Sequence, residues 1–227
     1  LSHAVLDSIA HPVKKENHWL SHSLRLMSGV FLYQLVMSLD IFLIEGFAHQ
    51  EISVGYYAAT LAICFFITAS SSTCFKPLLP LISAGFASGE LDELKKKLVV
   101  SNRVNSIYCL LSSLIIYCFL PEITALFFDA SFVEPCVTTG RILLVSMFFS
   151  SLLWPATILL RHTQNERKVI QCRFMELVLL VGVGIPFIRW YGIAGMAATQ
   201  VLVQGVSGSV KCFFVRRILK IKPLSLI

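Results

Sequence analysis

Charge is scarce in this sequence. Of its 227 residues only 14% are Asp, Glu, Lys or Arg, whereas 56% are hydrophobic and the mean hydropathy is +0.76. A soluble domain of this length needs a polar shell, which the long uncharged stretches do not supply, so the bilayer is the expected solvent. Paired cysteines are missing as well: Cys64, Cys74, Cys109, Cys118, Cys136, Cys172 and Cys212 are dispersed and form no C-x-x-C motif. They read as small packing residues, which argues against a metal site or a disulfide framework. No H-E-x-x-H, G-x-S-x-G or phosphate-binding loop occurs, so nothing supports an enzyme and no cofactor is implied. His18 and His22 lie four apart without a third metal ligand. The amino-terminal stretch also lacks the basic-then-apolar layout of a signal peptide. It does not begin with Met, which reads as a fragment or an alternative start codon.

What is present is a series of apolar runs. A hydrocarbon core of about 30 Å needs about 20 mostly apolar residues per helix. Six stretches satisfy this: Leu24 to Ile44, Val54 to Ala84, Val99 to Leu120, Ile142 to Leu160, Val169 to Ile188 and Ile193 to Val215. Buried helices of a soluble bundle would show polar stripes at helical spacing, and these stretches mostly do not. The expected fold is therefore all-α, a polytopic bundle of six transmembrane helices over residues 23–217. It is flanked by a tail at residues 1–22 and a basic tail at residues 218–227.

The connections alternate in character. The first, EGFAHQEIS, has no Lys or Arg. The second, SGELDELKKKL, predicts a short amphipathic helix capped by Ser88, with acids leading and lysines following to suit the helix dipole. The third, around PEITALFFDASFVEP, is acidic; the fourth is RHTQNERK and the fifth a tight RWYG turn. Sorting the basic residues by side sets the topology. Lys14, Lys15, Arg25, Lys95, Lys96, Lys97, Arg103, Arg161, Arg167, Lys168, Lys211, Arg216, Arg217, Lys220 and Lys222 fall on one side, and only Arg141 and Arg189 on the other. The positive-inside rule then puts both termini in the cytoplasm, in agreement with an even number of spans. The net charge of +6 is thus a matter of topology, and nucleic acid is not an expected partner.

Ionisable residues within or beside the spans are the functional candidates, since a charge at that depth must face a partner or a wet cavity. They are Lys76, Asp40, Arg103, Arg173 and Glu176. Each has a plainer reading. Lys76, in TCFKPLLPLIS, either faces a cavity or snorkels to the headgroups, with Pro77 and Pro80 bending the helix and Ser70, Ser71, Ser72 and Thr73 re-satisfying freed carbonyls. Asp40 pairs with an outer-leaflet group or a neighbouring helix. Arg173 and Glu176, three apart, either form a local ion pair or line a cavity. Arg103 contacts phosphates, specifically or not. Gln200 and Gln204 share a helix face and suit either a cavity or interhelical hydrogen bonds. Gly182, Gly184, Gly192, Gly195, Ala198 and Thr199 read as close-packing positions.

The order of features from Leu24 to Val215 resembles the carboxyl-terminal half of a lipid-linked oligosaccharide flippase, in the superfamily that also holds the multidrug and toxin extrusion (MATE) transporters. The residues behind it are MSLDIFLI at 37–44, VGYYAA at 54–59, KPLLP at 76–80, the GELDELKKK segment and GIAGMAAT at 192–199. The resemblance implies one six-helix lobe of a MATE-like two-lobed transporter in the cell (inner) membrane, flipping a lipid-linked oligosaccharide or polysaccharide precursor by alternating access. It implies a lipid-linked glycan substrate, and as partner a second six-helix lobe or another copy of the chain. For a pyrophosphate-linked sugar, cationic side chains in the cavity offset charge that lipid cannot solvate. That assigns Lys76, Arg103 and Arg173 to the substrate, with Asp40, Glu176 and Gln200 also in the cavity. The rivals are a cation-coupled multidrug exporter lobe, in which Asp40 and Glu176 matter more, and a non-transporting remnant of a split gene.

Overall fold

The computed structural model describes residues 18–48, 52–76, 80, 91–162 and 166–219. They form helices and no strand, as the apolar runs require once backbone groups have no water to bond. The helices are α1 (His18–Phe47), α2 (Ser53–Phe75), α3 (Leu91–Phe127), α4 (Ala130–His162) and α5 (Glu166–Leu219). All five are long and apolar enough to cross a membrane.

The expected fifth and sixth spans are two helical limbs that meet at Gly192 with no loop between them, numbered together as α5. A straight helix of its 54 residues would reach about 81 Å, far beyond a hydrocarbon core. It does not run straight: Gly192 has φ 60° and ψ −138°, a backbone state that a side chain disfavours, and the two limbs fold onto each other there. Hydrogen bonds from Ser207 and Lys211 back to Glu176 span 31 and 35 residues, which in a straight helix would lie about 47–53 Å apart. The RWYG turn read from the sequence is this reversal.

Three other boundaries differ from the sequence reading. The second span ends early: α2 stops at Phe75, and the Lys76 amide donates to the Thr73 carbonyl at 3.3 Å, a tightened last turn just before Pro77. Its 23 residues reach about 35 Å, enough for the hydrocarbon core. The lysine therefore marks the helix end. Pro80 is described, but the rest of residues 77–84 and the Ser88 cap lie outside the described residues. The lysine-bearing amphipathic segment does not form a separate helix, since α3 runs unbroken from Leu91 through it. The acidic third connection is also mostly helix. Only Phe128 and Asp129 interrupt it, because Pro121 is tolerated within α3, and a backbone bond from Phe132 to the Asp129 carbonyl at 2.9 Å opens α4.

α4 is the central helix, packed against α2, α3 and α5, and α1 lies along α5. Register follows from close approaches. The Cys136 thiol reaches the Tyr56 carbonyl and the Cys64 thiol the Gly140 carbonyl, so α2 and α4 run parallel. Leu120 packs where a Gly140 side chain would stand, and Leu153 where a Gly208 side chain would stand. Gly184 likewise sits against Met196, Leu43 and Thr199, whereas Gly182 meets nothing and is not a packing position. One core cluster, including Ile44, Tyr57, Leu120, Leu143, Ile188 and Met196, lies toward the end that carries the Gly192 turn. A second, with Leu98, Leu159, Val169 and Val215, joins α3, α4 and both limbs of α5 toward the opposite, tail end.

The outside is as apolar as the inside. On α3, Val100, Val104, Ile107, Leu111 and Leu114 are exposed at helical spacing, while Asn102, Asn105 and Cys109 face inward. That inversion of the soluble pattern suits a helix with hydrocarbon on its outer face. Trp190 and Tyr191 stand exposed beside the Gly192 turn, the place for ring systems with one wet edge. The described residues are those of a multi-pass membrane protein.

Candidate functional site

Among the described residues, ionisable side chains enter the bundle interior at two places, both on the seam between α1 and α5. The first is near the turn end. Asp40, on α1, is 2% exposed and lies about two turns from the helix terminus at Phe47. The Tyr57 hydroxyl of α2 donates to its Oδ2 at 3.1 Å, the Gln200 amide of α5 to the same oxygen at 3.4 Å, and the Ile41 amide to Oδ1 at 2.9 Å. Three helices thus meet on one carboxyl group. Every one of these donors is neutral, and no cation contacts Asp40 among the described residues.

The second cluster lies about two helical turns closer to the tail end. Glu176 is fully buried, with Arg173 and Lys211 at 6% and 5% exposure beside it. Arg173 Nη1 stands 2.6 Å from Glu176 Oε2, and Lys211 Nζ 2.7 Å from Oε1. The Ser207 hydroxyl donates to that same Oε1. On its other side the Arg173 guanidinium rests 4.7 Å from the centre of the Tyr33 ring of α1. Two cations therefore share one carboxylate in an apolar bundle, and each of them supplies a charge-assisted bond that an apolar medium strengthens.

The two clusters share faces. Tyr33 and Asp40 are seven apart on α1, and Gln200, Gln204, Ser207 and Lys211 follow one another by four, three and four on α5. Seven residues are two turns, about 10.5 Å of rise, so a polar stripe connects the lone carboxyl to the charged triad.

Of the residues singled out from the sequence, Asp40 and Gln200 meet in the first cluster and Arg173 and Glu176 in the second. The Arg173–Glu176 ion pair expected at i,i+3 spacing is present. Lys76 and Arg103 are exposed, one at the end of α2 and one on α3, and neither joins a buried cluster. Tyr57, Ser207 and Lys211 escaped the sequence reading. Lys211 carried a usable signal: it falls inside the last apolar run and continues the Gln200, Gln204, Ser207 face, yet it counts with the basic tail when charges are sorted by side. Nothing distinguishes Tyr57 from Tyr56 in sequence.

Among the described residues the remaining buried polar groups carry no charge. Ser71 of α2 donates to Asn105 Oδ1 of α3 at 2.9 Å, and Thr60, Ser106, Ser112 and Thr124 satisfy themselves on carbonyls one turn back. Between α2 and α3 lies an apolar groove of about 630 Å³ lined by Ala62, Phe66, Ile115, Ile116 and Phe127 among others. Comparison with models of known protein families, with curated proteins and with solved structures finds no match in any of the three.

Proposed function

We propose that this chain is one lobe of a membrane transporter that flips a lipid-linked oligosaccharide or polysaccharide precursor across the cell membrane. In this reading the α5 limbs are the fifth and sixth spans, both termini are cytoplasmic, and a second six-helix lobe or another copy of the chain closes the cavity. The observation that carries it is the Arg173–Glu176–Lys211 cluster: a buried charge set with one cation in excess, at a depth where charge is retained for function. A phosphate-bearing headgroup is the cargo such an excess suits, and lipid accepts its polyprenyl tail. The order of sequence features from Leu24 to Val215 supports the same family.

The test is reconstitution of the chain, with its partner lobe co-expressed, into vesicles holding a polyprenyl-pyrophosphate oligosaccharide on one leaflet. Glycan reaching the opposite leaflet, lost in Arg173→Gln, is the expected result. Equal flipping by the variant removes the cluster from the mechanism, and no flipping by the wild type with its partner removes the function. Lys76→Ala is the companion variant; full glycan export by it leaves Lys76 as a headgroup anchor.

One observation favours a second reading, a cation-coupled exporter lobe. Asp40 is held by neutral donors alone, which leaves its charge for a proton or a monovalent ion. Transport that collapses with the ion gradient and in Asp40→Asn, yet survives Arg173→Gln, selects that reading.

A further inference from the structure

Glu176 is surrounded by the donors that an oxyanion needs. A guanidinium, an ammonium and a hydroxyl converge on it, two of them from the far limb of α5. We propose that the Glu176 carboxylate is a built-in stand-in for a phosphate-class oxyanion, which on binding takes over Arg173, Ser207 and Lys211 from it. The identification of that oxyanion with cargo rests on the transport reading above; the seat itself rests on the residues.

Two features argue for an exchangeable ligand over a closed structural pair. The first is charge. Arg173 and Lys211 are two cations, Glu176 is one anion, and among the described residues the further partner of Arg173 is the neutral Tyr33 ring. A permanent structural pair buried in an apolar bundle would be expected to balance, because an excess buried charge is costly. With the Glu176 carboxylate retained, one further negative charge on a bound oxyanion balances the two cations, and a dianion does so once the displaced carboxyl takes up a proton. The second is unused donor capacity. Among the described residues Arg173 turns only Nη1 to Glu176 and Lys211 makes one bond, although a guanidinium carries five N–H donors and an ammonium three. An oxyanion with three acceptor oxygens engages this set more fully than a carboxylate with two. The donors come from both limbs of the α5 hairpin, so exchange alters what holds residues 173–176 against 207–211.

The experiment uses the full chain in nanodiscs of zwitterionic lipid, with inorganic pyrophosphate as probe and thermal unfolding as readout. In Glu176→Gln the melting temperature is expected to fall by about 10 °C, since two buried cations lose their counter-charge. Pyrophosphate should restore most of it, with an apparent affinity at least about tenfold tighter than for the wild type, where Glu176 competes. Adding Lys211→Gln should abolish the restoration. Equal stabilisation of wild type, single and double variants would mark surface binding and overturn the proposal, as would a destabilised single variant that pyrophosphate does not restore. Should Glu176→Gln fail to insert, Glu176→Asp keeps the charge but withdraws the carboxylate; tighter pyrophosphate binding than wild type is expected, and unchanged binding overturns the seat.

A second arm replaces part of the zwitterionic lipid with anionic phospholipid. Restoration by that lipid alone assigns the seat to a headgroup phosphate; restoration by pyrophosphate in zwitterionic discs assigns it to the phosphate of a soluble or cargo group. The two readings fail separately: restoration without flipping removes transport and keeps the seat, and flipping without restoration removes the seat alone.

Discussion

The α1–α5 side of the bundle and the α2–α3 side face lipid with equally apolar exteriors, yet their interiors differ. Along α1 and α5 run Asp40, Arg173, Glu176 and Lys211, all buried; Asp40, Glu176 and Lys211 are bonded across helices or limbs, and Arg173 pairs with Glu176 on its own limb and rests on the Tyr33 ring of α1. Between α2 and α3 are an amide, hydroxyls and an apolar groove, and the described cations of that side, Lys76, Lys96, Lys97 and Arg103, lie exposed. In a bilayer, apolar packing alone gives little preference for helix over lipid, so specific polar contacts and close approach decide which helices adhere. The difference therefore separates a seam whose charges hold α5 folded onto itself and onto α1 from a flank held by packing and single neutral hydrogen bonds.

The contrast is broken most sharply at Glu176. Glu176→Ala leaves Arg173 and Lys211 buried without a counter-charge and is expected to cost about 3–5 kcal/mol, measured by thermal or SDS unfolding in detergent. Replacing all three residues of the triad with leucine should recover most of that loss, because a well-packed apolar set has no desolvation to offset. A triple variant as unstable as the single one would show that the triad acts through something other than charge balance. Next in size is Tyr57→Phe, which takes one hydroxyl from Asp40 and should cost about 1.5–3 kcal/mol, the worth of a hydrogen bond to a charged group. A cost below that range would mean that Gln200 and the Ile41 amide satisfy the carboxyl without Tyr57.

The charged seam was only half legible in the sequence. Arg173 and Glu176 declare themselves by i,i+3 spacing, which any helix converts into a contact. Lys211 lies 35 residues from Glu176, and Gln200 lies 160 from Asp40; only the reversal at Gly192 and the packing of α1 on α5 bring them together. The spans themselves were legible because length and hydropathy alone decide whether a helix suits a bilayer. Their ends were not, since Pro121 and the acids around it read as a connection while the helix continues past them to Phe127. The early stop at Phe75 is the converse: an apolar run extends past Lys76, but Pro77 cannot supply the next amide.

The hairpin that assembles the seam gives the third test. Gly192→Ala places a side chain at φ 60° and ψ −138°, a strain of about 1–3 kcal/mol, with open space around the new methyl. Because the neighbourhood is open, the loss should come from the backbone, and Gly192→Asn, which tolerates positive φ better, should lose less. Equal losses for the two would point to packing and not to the turn.

The smallest effect is expected on the uncharged flank. Ser71→Ala removes the donor to Asn105 Oδ1 between α2 and α3, both residues being 2% exposed. In a soluble core, orphaning a buried amide oxygen would cost about 1–3 kcal/mol. In a membrane the unfolded chain also finds partners, and interhelical hydrogen bonds average about 0.6 kcal/mol. The expected cost is the lower figure, read from the shift in the detergent-unfolding midpoint. A loss on the scale of Glu176→Ala would erase the contrast between the two sides, because it would make a single neutral bond as important to the α2–α3 pair as the ion triad is to the α5 hairpin.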